Sequence, residues 1–322
     1  IGGALALYAW RTSRIGLGGE FAPLSRESLL LANNVLLVAA AGSVFLGTLY
    51  PLAIDALGVG KISVGPPYFE TVFVPLMAPA LFLMGVGPLA RWKRASLPEL
   101  AVLLRWALAV SIAVGLLLPL AFGQWHALTG VGLALAIWIA ITALMSLRKR
   151  PRGSRAYLGM VLAHLGVAVF VTGVTLVKSY ESDKDANLKP GDAVNLGRYV
   201  FRLEEVTNVR GPNYIAARAK ITVTRDERPV TVLYPEKRLY VVQNMPMTEA
   251  AIQPGLTRDL YVSLADPLEG GGWLVSVRLK PFVDWIWGGC LIMALGGLFA
   301  ASDRRYRVQL PATQASTVQA RA

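Results

Sequence analysis

Apolar runs long enough to cross a bilayer recur along this chain and then stop. Residues 29–49, 68–90, 97–122, 127–147 and 157–177 are dominated by Leu, Val, Ala, Ile and Phe. Each is close to the ~20 residues a helix needs to span a bilayer core of about 30 Å. A shorter run, 1–10, opens the chain and a final one covers 281–301. Between residues 178 and 280 the pattern changes to polar segments punctuated by Gly and Pro. Arg198-Tyr-Val-Phe-Arg-Leu, Ala219-Lys-Ile-Thr-Val-Thr and Trp273-Leu-Val-Ser-Val-Arg-Leu alternate apolar and polar positions. That period of two is the signature of half-buried antiparallel strands. The pattern predicts a polytopic α-helical membrane protein with an extracytoplasmic all-β domain inserted before the last transmembrane helix. The expected division is a truncated transmembrane helix at 1–10, a five-helix bundle at 29–178, a periplasmic β domain at 179–280, a last transmembrane helix at 281–301 and a cytoplasmic tail at 302–322. The first full span is expected to stop at Pro51, because proline interrupts a helix.

Composition and charge sharpen this picture. Of 322 residues, 54% are hydrophobic and 16% charged, well below the ~25% charge of a soluble domain. The net charge of +12 comes from short blocks of Lys and Arg between apolar runs, around 11–26, 91–94, 148–155 and 304–307. These blocks fall on alternate ends of the runs, which places all four on the cytoplasmic side. The β domain then emerges on the opposite face. No aromatic-interleaved basic stripe of the kind that tracks a nucleic-acid strand is present, so the lipid bilayer, with no nucleic acid, is the implied environment. Cys290 is the single cysteine, which excludes an internal disulfide, a CxxC pair and a zinc cluster. The chain opens inside an apolar stretch, without a signal-peptide pattern, and is expected to be the carboxy-terminal piece of a longer protein.

The chemistry that remains is sparse. There are two histidines, His126 and His164. His126 stands at the wet end of a span, where an exposed imidazole needs no special role. His164 lies about two turns inside the run 157–177, roughly 10 Å deep at 1.5 Å per residue, among residues with no other ionisable side chain. An imidazole at that depth is costly to bury and marks a functional position. It can serve as a haem ligand, a proton relay, or a neutral ring bonded to a backbone carbonyl or to a Ser or Thr of a neighbouring helix. Gly159, Ala163 and Gly166 beside it are small enough to admit a flat macrocycle, and equally suited to close helix packing. Asn33 and Asn34 are candidates to bridge helices. Arg105 is expected to snorkel to the cytoplasmic surface, and Trp285 and Trp287 to belong to an aromatic belt. No Ser-His-Asp arrangement, glycine-rich phosphate loop or pair of carboxylates within a span is present.

Seven separated segments, in order, carry a family resemblance. They include Ser25-Arg-Glu-Ser-Leu-Leu-Leu-Ala-Asn-Asn with Leu46-Gly-Thr-Leu-Tyr-Pro, Ile62-Ser-Val-Gly-Pro-Pro-Tyr-Phe, and Gly159-Met-Val-Leu-Ala-His-Leu-Gly-Val-Ala. Tyr234-Pro-Glu-Lys-Arg, Met247-Thr-Glu-Ala-Ala-Ile, Arg258-Asp-Leu-Tyr-Val, and Lys280-Pro-Phe-Val-Asp-Trp-Ile-Trp leading to Asp303-Arg-Arg-Tyr-Arg complete the set. Together they resemble the CcmF/NrfE haem lyase family, over nearly the whole chain up to about Arg307.

The resemblance implies a subunit of the haem lyase of bacterial cytochrome c maturation, in the bacterial inner membrane. Such a subunit assists transfer of haem from the chaperone CcmE to the CxxCH thiols of apocytochrome c. CcmE-bound haem, CcmH/CcmI and apocytochrome c are the implied partners, and haem b the implied cofactor. His164 matches the second of two transmembrane histidines that ligate that haem, and is thereby an implied axial ligand of haem iron. The Trp-rich haem-receiving segment, its flanking histidines and the first transmembrane histidine are expected in sequence preceding Ile1, so this piece is expected to be inactive alone. Two alternatives stand beside this: an NrfE-type lyase serving nitrite reductase, and a non-catalytic membrane scaffold of the maturation complex. A transport permease is disfavoured by the lack of an inverted repeat or a charged path through the spans.

Overall fold

The computed structural model describes residues 2–11, 22–149, 154–268 and 270–303. Arg14, Arg150, Arg152, Arg304, Arg305, Arg307 and the tail from 304 onward lie outside the described residues. The described helices are α1 (Gly2–Arg11), α2 (Arg26–Ala56), α3 (Pro66–Val86), α4 (Leu97–Leu117), α5 (Ala127–Ser146), α6 (Arg155–Tyr180) and α7 (Val283–Ala301). Six of these, all but α1, are long and apolar enough to cross a membrane. The first of the six does not stop at Pro51. α2 continues to Ala56 with the proline inside it. A proline removes one backbone hydrogen bond, and a long apolar helix tolerates that loss where the freed carbonyl finds another donor. α3 likewise carries Pro75 and Pro79 in its interior.

The chain divides into two compact units, Ile1–Ala109 and Val110–Ala322. In the first, α2 and α3 pack where Gly47 lets the Tyr68 ring lie against the backbone, and Tyr68 donates to the Ser43 carbonyl at 3.1 Å. Ser25 caps α2 by accepting from Ser28 N at 3.2 Å, the expected use of a hydroxyl at a helix start. Both oxygens of Glu27 accept from Lys93 N, at 2.9 and 3.1 Å. Ala22, Arg26 and Ala95 exchange backbone hydrogen bonds across the same two segments. The basic loops before α2 and after α3 are therefore one joined surface.

In the second unit, α5 packs on α6 and α6 on α7. After α6 a single residue, Glu181, leads into a two-sheet β domain. Its strands are β1 (Ser182–Leu188), β2 (Ala193–Leu196), β3 (Tyr199–Arg210), β4 (Tyr214–Arg225), β5 (Arg228–Leu233), β6 (Glu236–Tyr240), β7 (Met245–Glu249), β8 (Ala251–Gln253), β9 (Arg258–Pro267) and β10 (Trp273–Pro281). One sheet runs β1-β10-β9-β8. The other runs β2-β3-β4-β6-β7, with β5 also paired to β4. Their facing sides enclose one core. Phe201, Leu203, Ala219, Ile221, Val223, Leu260, Val262, Leu264, Val275 and Val277 are all fully buried. They occupy alternate strand positions because successive side chains point to opposite faces.

One ion network ties β4, β6 and β7 together. The Glu236 side chain, only 6% exposed, accepts from Arg218 at 2.6 Å and from Arg238 at 2.7 Å, and Arg238 reaches Glu249 at 3.3 Å. Burial alone would raise the Glu236 carboxyl. The hydrogen bonds from Arg238 and Arg218 outweigh it and hold the group below the usual carboxylate range. A carboxylate depressed in the folded state stabilises above its unfolded pKa of about 4.3, and that stabilisation is lost as pH falls through the folded value. Glu236→Gln is expected to lower stability at neutral pH by about 2 kcal/mol, as for hydrogen bonds to charged groups. Melting temperatures measured between pH 7 and pH 3 should converge for variant and parent at the acid end.

Candidate functional site

The contacts at the start of α6 explain how that helix is held. Ser154 accepts from Tyr157 N at 3.2 Å. Asp303, immediately after α7, accepts from Ala156 N at 2.8 Å and bonds Ser154 Oγ at 3.5 Å. A buried carboxylate at a helix N-terminus satisfies orphan donors and complements the helix dipole. The sequence reading missed this role. In sequence, Asp303 is only the acid ahead of an arginine cluster.

α6 presents two working faces. Gly159, Gly166 and Gly173 recur every seven residues and form one of them. A Cβ at Gly166 would sit 2.6 Å from Met293 N and 2.8 Å from Gly289 O, and one at Gly173 2.8 Å from Ile286 N. Gly159 abuts Gly296 and Ala300, and a Cβ at Gly296 would lie 2.6 Å from Ala163 N. The small residues beside His164 are thus taken up by contact with α7. They are not room for a macrocycle, which corrects one of the two uses the sequence left open for them.

The other face meets α5. Tyr157 donates to Ser146 O at 2.7 Å, Thr175 lies against Gly132, and Thr129 donates to Ser179 Oγ at 2.6 Å. His164 follows Tyr157 by seven residues and precedes Thr175 by eleven, so helical spacing places it on this polar-dotted face. The ring is half-buried, and its Nδ1 is 2.7 Å from the carbonyl of Met160, one turn earlier. A carbonyl only accepts, so Nδ1 carries the proton and the ring's lone pair is on Nε2. The backbone fixes both tautomer and ring direction, the arrangement that orients a metal-binding imidazole. This is the carbonyl-bonded ring that the sequence allowed, and in its neutral form it is at the same time a ring with a directed donor atom in an apolar helix. That donor chemistry fits one axial position of a haem iron.

The remaining candidates lie elsewhere. His126 is exposed at the N-cap position of α5, its ring centroid 6.5 Å from that of Tyr180. Between His164 and Tyr180, α6 rises about 24 Å, so the two histidines cannot share one iron. Among the described residues, no group of three or more His, Cys, Asp or Glu is placed to hold a metal ion. Arg105 is exposed and stacks over Trp106 at 5.7 Å. Asn33 bridges nothing through its carbonyl, since Oδ1 is buried without a hydrogen-bond partner.

Comparison with known proteins places these features in a family. Residues 179–281 match the family described as CcmF C-terminal beta-sandwich. The cytochrome c-type biogenesis protein CcmF of Escherichia coli strain K12 is 48% identical over 312 residues, which is 95% of this chain and 48% of that protein. CcmF of Pseudomonas aeruginosa is 44% identical over 96% of this chain and 49% of its own. NrfE of Haemophilus influenzae, also a cytochrome c-type biogenesis protein, is 34% identical over 94% and 48%. A solved structure of the cytochrome c haem lyase CcmF superposes with a TM-score of 0.71 at 25% identity, covering 87% of this chain and 46% of that one. The chain spans about half the length of the curated relatives it matches. Six apolar helices with a β-sandwich ahead of the last agree with those likenesses, and the chain belongs to the CcmF family, in the half that carries its carboxy-terminal β-sandwich.

Proposed function

We propose that this chain is part of a haem lyase of bacterial cytochrome c maturation, in which His164 is one axial ligand of a b-type haem in the membrane bundle. The observation that carries this reading is the Met160 carbonyl on His164 Nδ1 at 2.7 Å. That bond fixes the ring relative to α6 and directs Nε2 away from the Met160 carbonyl. Such a haem, when bound, supplies one-electron redox chemistry within the membrane. His164 holds the metal side of the group and takes its orientation from α6. The second axial ligand comes from sequence other than His126.

In this reading the β-sandwich stands in the periplasm. There it meets CcmE-bound haem as substrate, together with CcmH/CcmI and an apocytochrome c whose CxxCH thiols add to the haem vinyl groups. Sidedness has support in two places. The basic segments before α2 and after α3 share backbone hydrogen bonds, and the α6 start is joined to Asp303. Each pairing brings together loops that the distribution of Lys and Arg assigns to the cytoplasm. The 48% identity to a CcmF against 34% to an NrfE favours general cytochrome c maturation over the nitrite-reductase client.

The full-length protein, purified in detergent, tests the assignment through its absorption spectrum. His164→Ala is expected to abolish or strongly weaken the b-type bands, and added imidazole to restore part of them. A spectrum that does not change, together with a normal yield of cytochrome c in cells, would sink the ligand role.

A further inference from the structure

We propose that the turn between β8 and β9, residues 254–257, is immersed in the bilayer leaflet next to the β domain. Lipid, and no protein, would then cover Leu256. The turn is bound to the first residues of α7. Trp285 Nε1 donates to the Leu256 carbonyl at 3.1 Å, and Phe282 N donates to the Thr257 carbonyl at 3.3 Å. Trp285 belongs to the first turn of a helix apolar enough to cross a membrane. Tryptophan at such a position sits at headgroup depth. A residue whose backbone accepts from that indole shares its depth. Leu256 is 76% exposed at that level, and a leucine held out from the domain there meets acyl chains instead of water.

The make-up of the turn agrees. Pro254, Gly255, Leu256 and Thr257 carry no charge. The charged residues that follow are turned to partners. Asp259 is buried and accepts from Gly255 N at 3.0 Å, and Arg258 donates to Tyr199 OH at 2.8 Å and Gln253 Oε1 at 3.3 Å. Aromatic rings continue the level around the bundle. Phe282 contacts Trp285 at 5.4 Å and Phe122 at 6.1 Å, and Phe122 stacks on Tyr180 at 4.9 Å. The sandwich would then have three membrane attachments: its junctions with α6 and α7, and a separate apolar anchor.

The same domain provides its own aqueous reference. Val242, 92% exposed, is in the β6–β7 turn beside Asn213. That turn is at the Tyr214 end of β4, whereas Tyr199, the partner of Arg258, pairs with Arg225 at the other end. Eleven strand residues at about 3.3 Å each separate the two ends by roughly 35 Å.

The test uses full-length protein in phospholipid nanodiscs, with Cys290→Ser to remove the exposed native thiol and a nitroxide on Leu256→Cys or Val242→Cys. Power saturation compares collisions with oxygen, which partitions into lipid, and with a water-soluble nickel chelate. At 256, oxygen is expected to dominate; at 242, nickel. Nickel dominance at both positions would overturn the proposal by placing the turn in water. Shielding from both reagents at 256 would overturn it in favour of a protein contact.

Discussion

Gly166→Ile is expected to drive α6 and α7 apart and to lower thermal stability and, on the ligation proposed for His164, haem retention, although it alters neither His164 nor Met160. A Cβ at Gly166 already falls 2.6 Å from Met293 N, 2.7 Å from Met293 Cγ and 2.8 Å from Gly289 O. Two of those three atoms are backbone, which a rotamer change cannot move. Between helices in lipid there is little hydrophobic drive to compensate, and close backbone approach through small residues supplies the association. Overpacking of this kind costs about 1–3 kcal/mol. A branched side chain at the centre of a seven-residue glycine repeat belongs at the upper end of that range. Gly288→Ile and Gly297→Ile are the matched controls, because neither position has a neighbour within 4 Å. Differential scanning of the detergent-purified protein, paired with the ratio of haem absorbance to protein, should separate the variant from both controls. Equal melting of all three would show that the α6–α7 contact contributes nothing.

Phe201→Ala is expected to unfold the β-sandwich near physiological temperature and leave the helices in place. Phe201 is 0% exposed, the largest of the fully buried side chains, and pairs with Val194 on β2 and Val223 on β4. Truncating a buried Phe to Ala costs about 3–5 kcal/mol. In a domain of about 100 residues that is a fall of roughly 15–30 °C in melting temperature. Limited proteolysis with a mass-spectrometric readout would find new cleavage confined to residues 182–281. Protection equal to that of the parent protein would mean the core is held by something besides its apolar packing.

Periodicity made much of this architecture readable in the sequence, and the reasons are physical. A bilayer demands long uninterrupted apolar runs, and a two-sided sheet demands alternation, so α5, α6, β3 and β4 declare themselves. Pro51 misled because its cost is local while the helix around it is 31 residues long. Strand order was not readable. β1 pairs with β10, Ser182 opposite Leu279, and nothing in either segment names a partner nearly a hundred positions away. At the candidate site, His164 stood out because an imidazole is rare at membrane depth. Its tautomer did not, since that depends on a carbonyl one turn earlier. The use of the glycines near it stayed open between two readings for a related reason. Their spacing states that something comes close to α6, and only the fold identifies that neighbour as α7. Glu236 reads in sequence as an ordinary strand acid: Arg238 is two residues along the same strand, but Arg218 reaches it from β4.

The junctions of the sandwich with the helices have a mechanical consequence. α6 ends at Tyr180 and β1 begins at Ser182, while β10 ends at Pro281 and α7 begins at Val283. Each joint is one residue long, and the second is held at Phe282 in a left-handed conformation, φ 58°. The strands leaving the two joints are paired with each other, and so are the helices. Hinge, spindle and door leaf are thus one piece, with no slack in which the β domain can turn alone. A torque applied to the sandwich by a docked protein must be taken up along α6, and the ring direction of His164 turns with that helix.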